Sequence, residues 1–147
     1  MVMATGSPAS WRESCVLPSG PAGARAAREM TRGCLRGWGV DDPGGEVILA
    51  VSELAANACV HGLPPVVLGL ALDAGPAGAA VTCRVSDANP ELPSLAAALA
   101  ADAESGRGLV IVAALASRVW TEPCAHGKAV CCRFDLRPAA TPAAAAA

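Results

Sequence analysis

Between Glu46 and Gly62 the chain reads EVILAVSELAANACVHG, a run of helical length that is apolar almost all the way round. A helix of this kind has to be covered by the rest of the molecule. Its conspicuous exceptions are Glu53 and Asn57, with His61 roughly one turn further on, and residues four apart stack along one helix face. Val47, Ile48, Val51, Leu54, Ala55, Ala58 and Cys59 take up the remaining surface. Burying an unpaired amide costs about 1–3 kcal/mol, and an ionised carboxylate costs more. Such a polar edge therefore faces a partner or a cavity, where a metal ion or a reacting hydroxyl would serve; the plainer alternative is an edge meeting solvent.

The 147 residues suffice for one domain with a real core. That domain is expected at 11–137, between a small polar tail at 1–10 and an alanine-rich tail at 138–147. Alanine inflates the apolar fraction of 53%, whereas aromatics make up only 3% and tyrosine is absent, so Leu, Val, Ile and Ala must build the core. A formal charge of -2, with Lys128 the single lysine, provides no basic field for direct nucleic-acid binding. The seven cysteines are odd in number and form no CxxC pair, which suggests a reducing cytosol and no disulfide framework. With no stretch near the roughly 18 apolar residues of a membrane span, and no signal-peptide pattern at the start, the sequence reads as soluble and cytoplasmic.

Periodicity predicts a first strand over 11–17, then an amphipathic helix from Pro21 to Arg36 that Gly37 ends, with Arg25, Arg28, Arg32 and Arg36 on its polar side. The opening run forms the second helix, beginning after Asp41, Asp42 and Pro43 and stopping at Gly62 before Pro64 and Pro65. Residues 66–72 and 79–86 read as a hairpin about Pro76, 94–103 as an alanine-rich helix and 109–117 as a firmer one. Strands over 118–121 and 129–136 close the domain. Hairpin-linked strands with grouped helices predict an α+β fold, a two-layer α/β sandwich whose mixed, mostly antiparallel sheet is covered on one face by helices. Neither GxGxxG nor GxxxxGK[ST] occurs, so the commonest nucleotide folds do not apply.

Three separated segments carry candidate chemistry. An asparagine carbonyl at position 57 suits Mg²⁺, a hard cation that prefers oxygen ligands, and Glu53 is placed to orient or deprotonate an attacking hydroxyl. Asp87, at a strand end, is able to accept a hydrogen bond from an exocyclic amine such as that of adenine. Ser105, Gly106, Arg107 and Gly108 lead into a helix, and glycines there let a phosphate approach the positive end of the helix dipole. Taken singly, each has a plainer reading: Asp87 as a cap for the loop before Pro90, SGRG as an N-cap with turn glycines. His61 reads as a helix-ending residue, Lys128 as a solvated turn residue, and Cys131 with Cys132 as strand neighbours packed on opposite faces.

In order and spacing the chain resembles the GHKL ATPase superfamily, and within it the bacterial anti-sigma-factor serine kinases and the related actinobacterial ATP-binding regulators. The resemblance rests on SELAANACVHG at 52–62, VSDANPELP at 85–93, ESGRGLVIVAALASRVW at 104–120 and GKAVCCRF at 127–134. It implies a Bergerat ATP-binding sandwich in which Asn57 holds Mg²⁺, Glu53 is the catalytic base toward a serine or threonine hydroxyl, and Asp87 recognises adenine. Gly106 and Gly108, with Arg107 and Leu109, match the segment that closes over the phosphates. The implied partners are an anti-sigma-factor antagonist and a sigma factor, with ATP and Mg²⁺ as cofactors. One segment departs from the pattern: Asn89 and Glu91 stand where the superfamily usually has glycines after the aspartate, and a glutamate is poorly suited to a left-handed backbone. The expected function is thus a Mg-ATP-dependent protein serine/threonine kinase and anti-sigma factor. The alternatives are a binding module that sequesters a partner without phosphoryl transfer and, more remotely, a scaffold that forms a homodimer through its helices.

Overall fold

The computed structural model describes residues 3, 4, 11–75, 78–91 and 107–136. The described strands are β1 (Met3–Ala4), β2 (Trp11–Leu17), β3 (Val66–Gly75), β4 (Gly78–Asp87), β5 (Arg118–Cys124) and β6 (Gly127–Leu136). They form one sheet in the order β1-β2-β3-β4-β6-β5, with every neighbouring pair antiparallel. The described helices, α1 (Pro21–Trp38), α2 (Glu46–His61) and α3 (Arg107–Leu115), make with the sheet a two-layer α+β sandwich. The sheet is therefore more uniform than the mixed one expected. The alanine-rich helix expected at 94–103 lies outside the described residues, as do nearly all of both tails.

Alternation along the strands decides which face the helices cover. Leu68, Leu70 and Leu72 on β3, Val81, Cys83 and Val85 on β4, and Cys132 and Phe134 on β6 are all buried in one core. Thr82, Arg84 and Ser86, the intervening residues of β4, are only half-buried on the other face. The helices add Ala27, Cys34, Leu35, Val51, Leu54 and Val112 to the same core, so it is aliphatic, as the scarcity of aromatic residues requires. All seven cysteines are free thiols, and Cys34, Cys83, Cys131 and Cys132 are buried as small apolar groups.

Helix α1 runs two residues beyond Arg36, through the Gly37 that was expected to end it. It ends instead at Gly39, whose φ of 69° is left-handed and whose N–H caps the carbonyls of Leu35 and Arg36. Val40 N–H closes the motif on Leu35 O at 2.8 Å. Gly37 is exposed inside the last turn, where a glycine weakens a helix without ending it. Arg28, one of the arginines expected at the solvent, donates from Nη1 to Ser52 Oγ at 3.0 Å and ties α1 to α2.

Helix α2 is the centre of the helical layer, touching α1, α3, β3 and β4. Asp42 caps its start, accepting the N–H groups of Val47 and Ile48 at 3.1 Å each. Val47, Ala50, Val51, Leu54 and Ala55 are at most 3% exposed and form its core face, whereas Leu49 and Val60 remain exposed. Glu53 and Asn57 are half-buried along its remaining edge. Among the described residues no helix is long and apolar enough to cross a membrane.

Candidate functional site

Asp87 ends β4 with only 6% of its surface exposed. Its Oδ1 accepts the N–H of Asn89 at 2.8 Å and, more loosely, that of Leu63 at 3.4 Å. The loops that follow α2 and β4 are further joined by Ala88 N–H donating to Leu63 O at 2.7 Å. Asn89 repeats the device, its Oδ1 accepting the Glu91 N–H at 3.1 Å. Two successive side-chain turns of this type shape the backbone where glycines were expected. No described non-glycine residue has a positive φ, so neither Asn89 nor Glu91 is forced into a left-handed conformation. Asp87 thus caps its loop, as the plainer reading expected, while its carboxylate also faces a cavity.

That cavity, of about 250 Å³, opens between α2, α3 and the ends of β4 and β6. Leu54, Val85, Leu109 and Val130 supply apolar walls, and Asp87, Lys128, Asn57 and His61 supply polar groups. Gly62 lets α2 end close to the carboxylate: a Cβ there would lie 2.7 Å from Asp87 Oδ2 and 2.6 Å from Ala58 O. The volume falls below the roughly 300–1,000 Å³ of clefts that enclose a drug-sized ligand. It suits a flat ring held between aliphatic side chains with a polar edge toward Asp87, the remainder of the ligand extending along α2.

Lys128 is the clearest correction to the sequence reading. It is not a solvated turn residue: register places it directly opposite Asp87 on the neighbouring strand, with its side chain 13% exposed. Its Nζ is 3.3 Å from Oδ2 and 3.4 Å from Oδ1 of that aspartate. An opposite-charge cross-strand pair of this kind cannot be read from local sequence, because β4 and β6 are distant in the chain.

Glu53 and Asn57 meet the start of α3. A Cβ on Gly108 would lie 2.9 Å from Asn57 Nδ2, 3.1 Å from Glu53 Oε2 and 3.3 Å from Asn57 Oδ1. The absence of a side chain at 108 is what lets the Asn57 amide hold its position against the start of α3. Helix α3 begins at Arg107, one residue before Gly108, and the first N–H groups of a helix have no partner within it. Leu109, one residue on, is 8% exposed and walls the cavity. Ser105 and Gly106 lie outside the described residues.

The fold thus brings Asp87, Asn57 and Leu109 to one cavity, with Glu53 one turn along α2 and Gly108 against it. Sequence reasoning missed Lys128 and Gly62 as parts of that site. It also gave His61 little role; the side chain is exposed yet lines the cavity. A carboxylate at a buried end, aliphatic walls, and a polar helix edge at a helix N-terminus form a chemical gradient suited to a base at one end and phosphates at the other.

No curated protein matches the chain. The family model described as the histidine kinase-like ATPase domain matches residues 17–134, which include the Asp87–Lys128 pair and the three described helices. The chain belongs to the histidine kinase-like ATPase domain family and has that family's ATP-binding fold.

Proposed function

We propose that the protein is a Mg-ATP-dependent serine/threonine protein kinase of the anti-sigma-factor type, phosphorylating an antagonist protein in a partner switch that controls a sigma factor. The observation that carries this reading is the approach of Glu53 Oε2 and the Asn57 amide to the same point at Gly108, next to Leu109, which with Asn57 lines the cavity that holds Asp87. Adenine would lie between Leu54, Val85, Leu109 and Val130 with its amine toward Asp87. Phosphates would then follow α2 toward the start of α3, where unpaired N–H groups favour negative charge.

Asn57 Oδ1 is a neutral oxygen donor of the type that Mg²⁺ accepts, and Gly108 places no atoms between it and the phosphate path. When bound, Mg²⁺ supplies charge neutralisation to the phosphate oxygens. Glu53 accepts no hydrogen bond from any described residue, which leaves its carboxylate for an incoming hydroxyl. As the hydroxyl oxygen bonds to the γ-phosphorus, the bond from that phosphorus to the β–γ bridging oxygen breaks, ADP leaves, and Glu53 takes the hydroxyl proton. Incubating the protein with labelled ATP and a cognate antagonist should produce serine or threonine phosphate. In Glu53→Gln transfer should fall by about 100-fold or more while ATP affinity stays within about threefold. An undiminished rate in that variant would refute the role of Glu53.

One observation favours a second reading, a binding module without phosphoryl transfer. Asp87 is already engaged by Lys128 and Asn89, and an engaged carboxylate holds an adenine amine less tightly. Under this reading calorimetry with Mg-ATP registers no heat of binding, while the protein still captures its partner.

A further inference from the structure

Register along β4 and β6 stacks two cross-strand pairs on the face that the helices cover. Val85 stands opposite Val130 and, two residues along each strand, Asp87 stands opposite Lys128. Residues two apart share a strand face, and all four line the same cavity. The valines therefore give a flat ring an apolar support, with a carboxylate and an ammonium side by side at one edge of it. Both polar groups are anchored. Oδ1 of Asp87 accepts the Asn89 N–H at 2.8 Å and the Leu63 N–H at 3.4 Å, which leaves Oδ2 with Lys128 as its described partner. A Cβ at Gly127 would lie 2.8 Å from the Cα of Ala88, so β6 starts hard against the end of β4 and delivers Lys128 to this spot. Its Nζ sits 3.3 Å from Oδ2 and 3.4 Å from Oδ1.

An ionised carboxylate only accepts hydrogen bonds and an ammonium only donates them. An ammonium has three N–H donors, so pairing with the two oxygens of Asp87 leaves one for a ligand. The edge thus has a fixed polarity, acceptor beside donor. Adenine is its complement, with a donor at the 6-amino group and an acceptor at the neighbouring N1, whereas hypoxanthine and guanine reverse both with O6 and N1–H. That edge also lies across the base from N9, which bears the ribose. A base whose phosphates leave along α2 therefore turns N1 and the amine toward the buried end, while N7, on the ring that carries N9, stays to the side. Resting on the ATP-binding reading above, we propose that Lys128 is a specificity-determining residue: its ammonium donates to N1 of adenine while Oδ2 of Asp87 accepts from the 6-amino group. A 6-oxopurine would set O6 against the carboxylate and N1–H against the ammonium, two contacts that form no hydrogen bond. Lys128 thereby adds N1 to what the aspartate reads, and selects adenine with both groups held where they are.

The test uses 1-deaza-ATP, in which a C–H replaces N1 and the amine is kept. By calorimetry on the intact chain with Mg²⁺ it should bind about 10–100-fold more weakly than ATP, whereas 7-deaza-ATP, which lacks N7 instead, should stay within about threefold of ATP. ITP should be rejected by about 100-fold or more. In Lys128→Met the penalty for 1-deaza-ATP should shrink to within about threefold, because the donor that N1 served is gone. The wild-type comparison needs no variant, so a destabilised Lys128→Met protein does not shelter the proposal. A wild type that binds 1-deaza-ATP as tightly as ATP, a loss confined to 7-deaza-ATP, or a 1-deaza penalty undiminished in Lys128→Met overturns the role of Lys128 and leaves the ATP reading intact. Failure of the folded wild-type protein to bind ATP overturns both together.

Discussion

The side chain that Gly108 lacks would sit 2.9 Å from Nδ2 of Asn57, so the Asn57 amide holds its present position against the start of α3 because residue 108 is a glycine. The same absent Cβ would be 3.1 Å from Oε2 of Glu53. Both neighbours are tips of side chains that can turn aside, so the cost of filling the space is borne by the site rather than by the fold.

Gly108→Ala should accordingly leave stability within about 1 kcal/mol of wild type, since alanine also favours a helix. It should weaken Mg-ATP binding by about tenfold or more by displacing Asn57. Thermal unfolding and calorimetry on the same preparation separate the two effects; a large loss of melting temperature with unchanged affinity would contradict this division.

Gly62→Ala should behave in the opposite way. Its Cβ would meet the backbone carbonyl of Ala58 at 2.6 Å as well as Asp87 Oδ2, and a helical carbonyl cannot turn aside. Overpacking of this kind costs about 1–3 kcal/mol, read as a lower denaturation midpoint with an unchanged slope.

Asn57→Ala tests the proposed metal contact. In the wild type, ATP affinity should rise by about tenfold or more when Mg²⁺ is added, and in the variant the response to Mg²⁺ should largely disappear. Competition titrations with and without EDTA measure it. An equal Mg²⁺ response in both proteins would remove Asn57 from the metal's coordination.

Alkaline pH should destabilise the fold through its thiols. Burial, and for Cys34 the nearby Glu13 carboxylate, push Cys34 up to about 12; burial, then Glu122, push Cys131 up to about 12. A folded pKa raised above its ordinary value of 9.0 gives stability that is full below that value and is lost as pH climbs from 9.0 toward about 12. With no tyrosine and only one lysine in the chain, few other groups titrate there. Melting temperature under reducing conditions should therefore fall progressively above pH 9, and Cys131→Ala should flatten the decline. An unchanged profile in the variant would assign the loss elsewhere.

Local pattern carried most of the architecture. The Asp42 start of α2, its apolar core face and the alternating strands each follow from neighbours a few residues apart, which is why helices and hairpins were legible in the sequence. Gly37 misled because a glycine near a helix end and a glycine at its cap look alike until a backbone angle distinguishes them. Asn89 and Glu91 looked like defects because their side-chain turns, not their residue types, shape the loop. Lys128 was misjudged for a different reason: its partner lies 41 positions away and becomes its neighbour only through the pairing of β4 with β6. Features of the candidate site that depend on such long-range register, including the apolar walls from Val85 and Val130, emerge only from the assembled sheet.

Calorimetric titration of the intact protein with Mg-ATP, beside Asp87→Ala, is the most direct test of nucleotide binding in this cavity. The account predicts dissociation in the range of about 1–100 μM for the wild type, or about -8 to -5.5 kcal/mol, and a loss of about 100-fold or more in a variant that still unfolds cooperatively. A folded wild-type protein that binds no ATP, or an Asp87→Ala variant that binds it equally well, would contradict it.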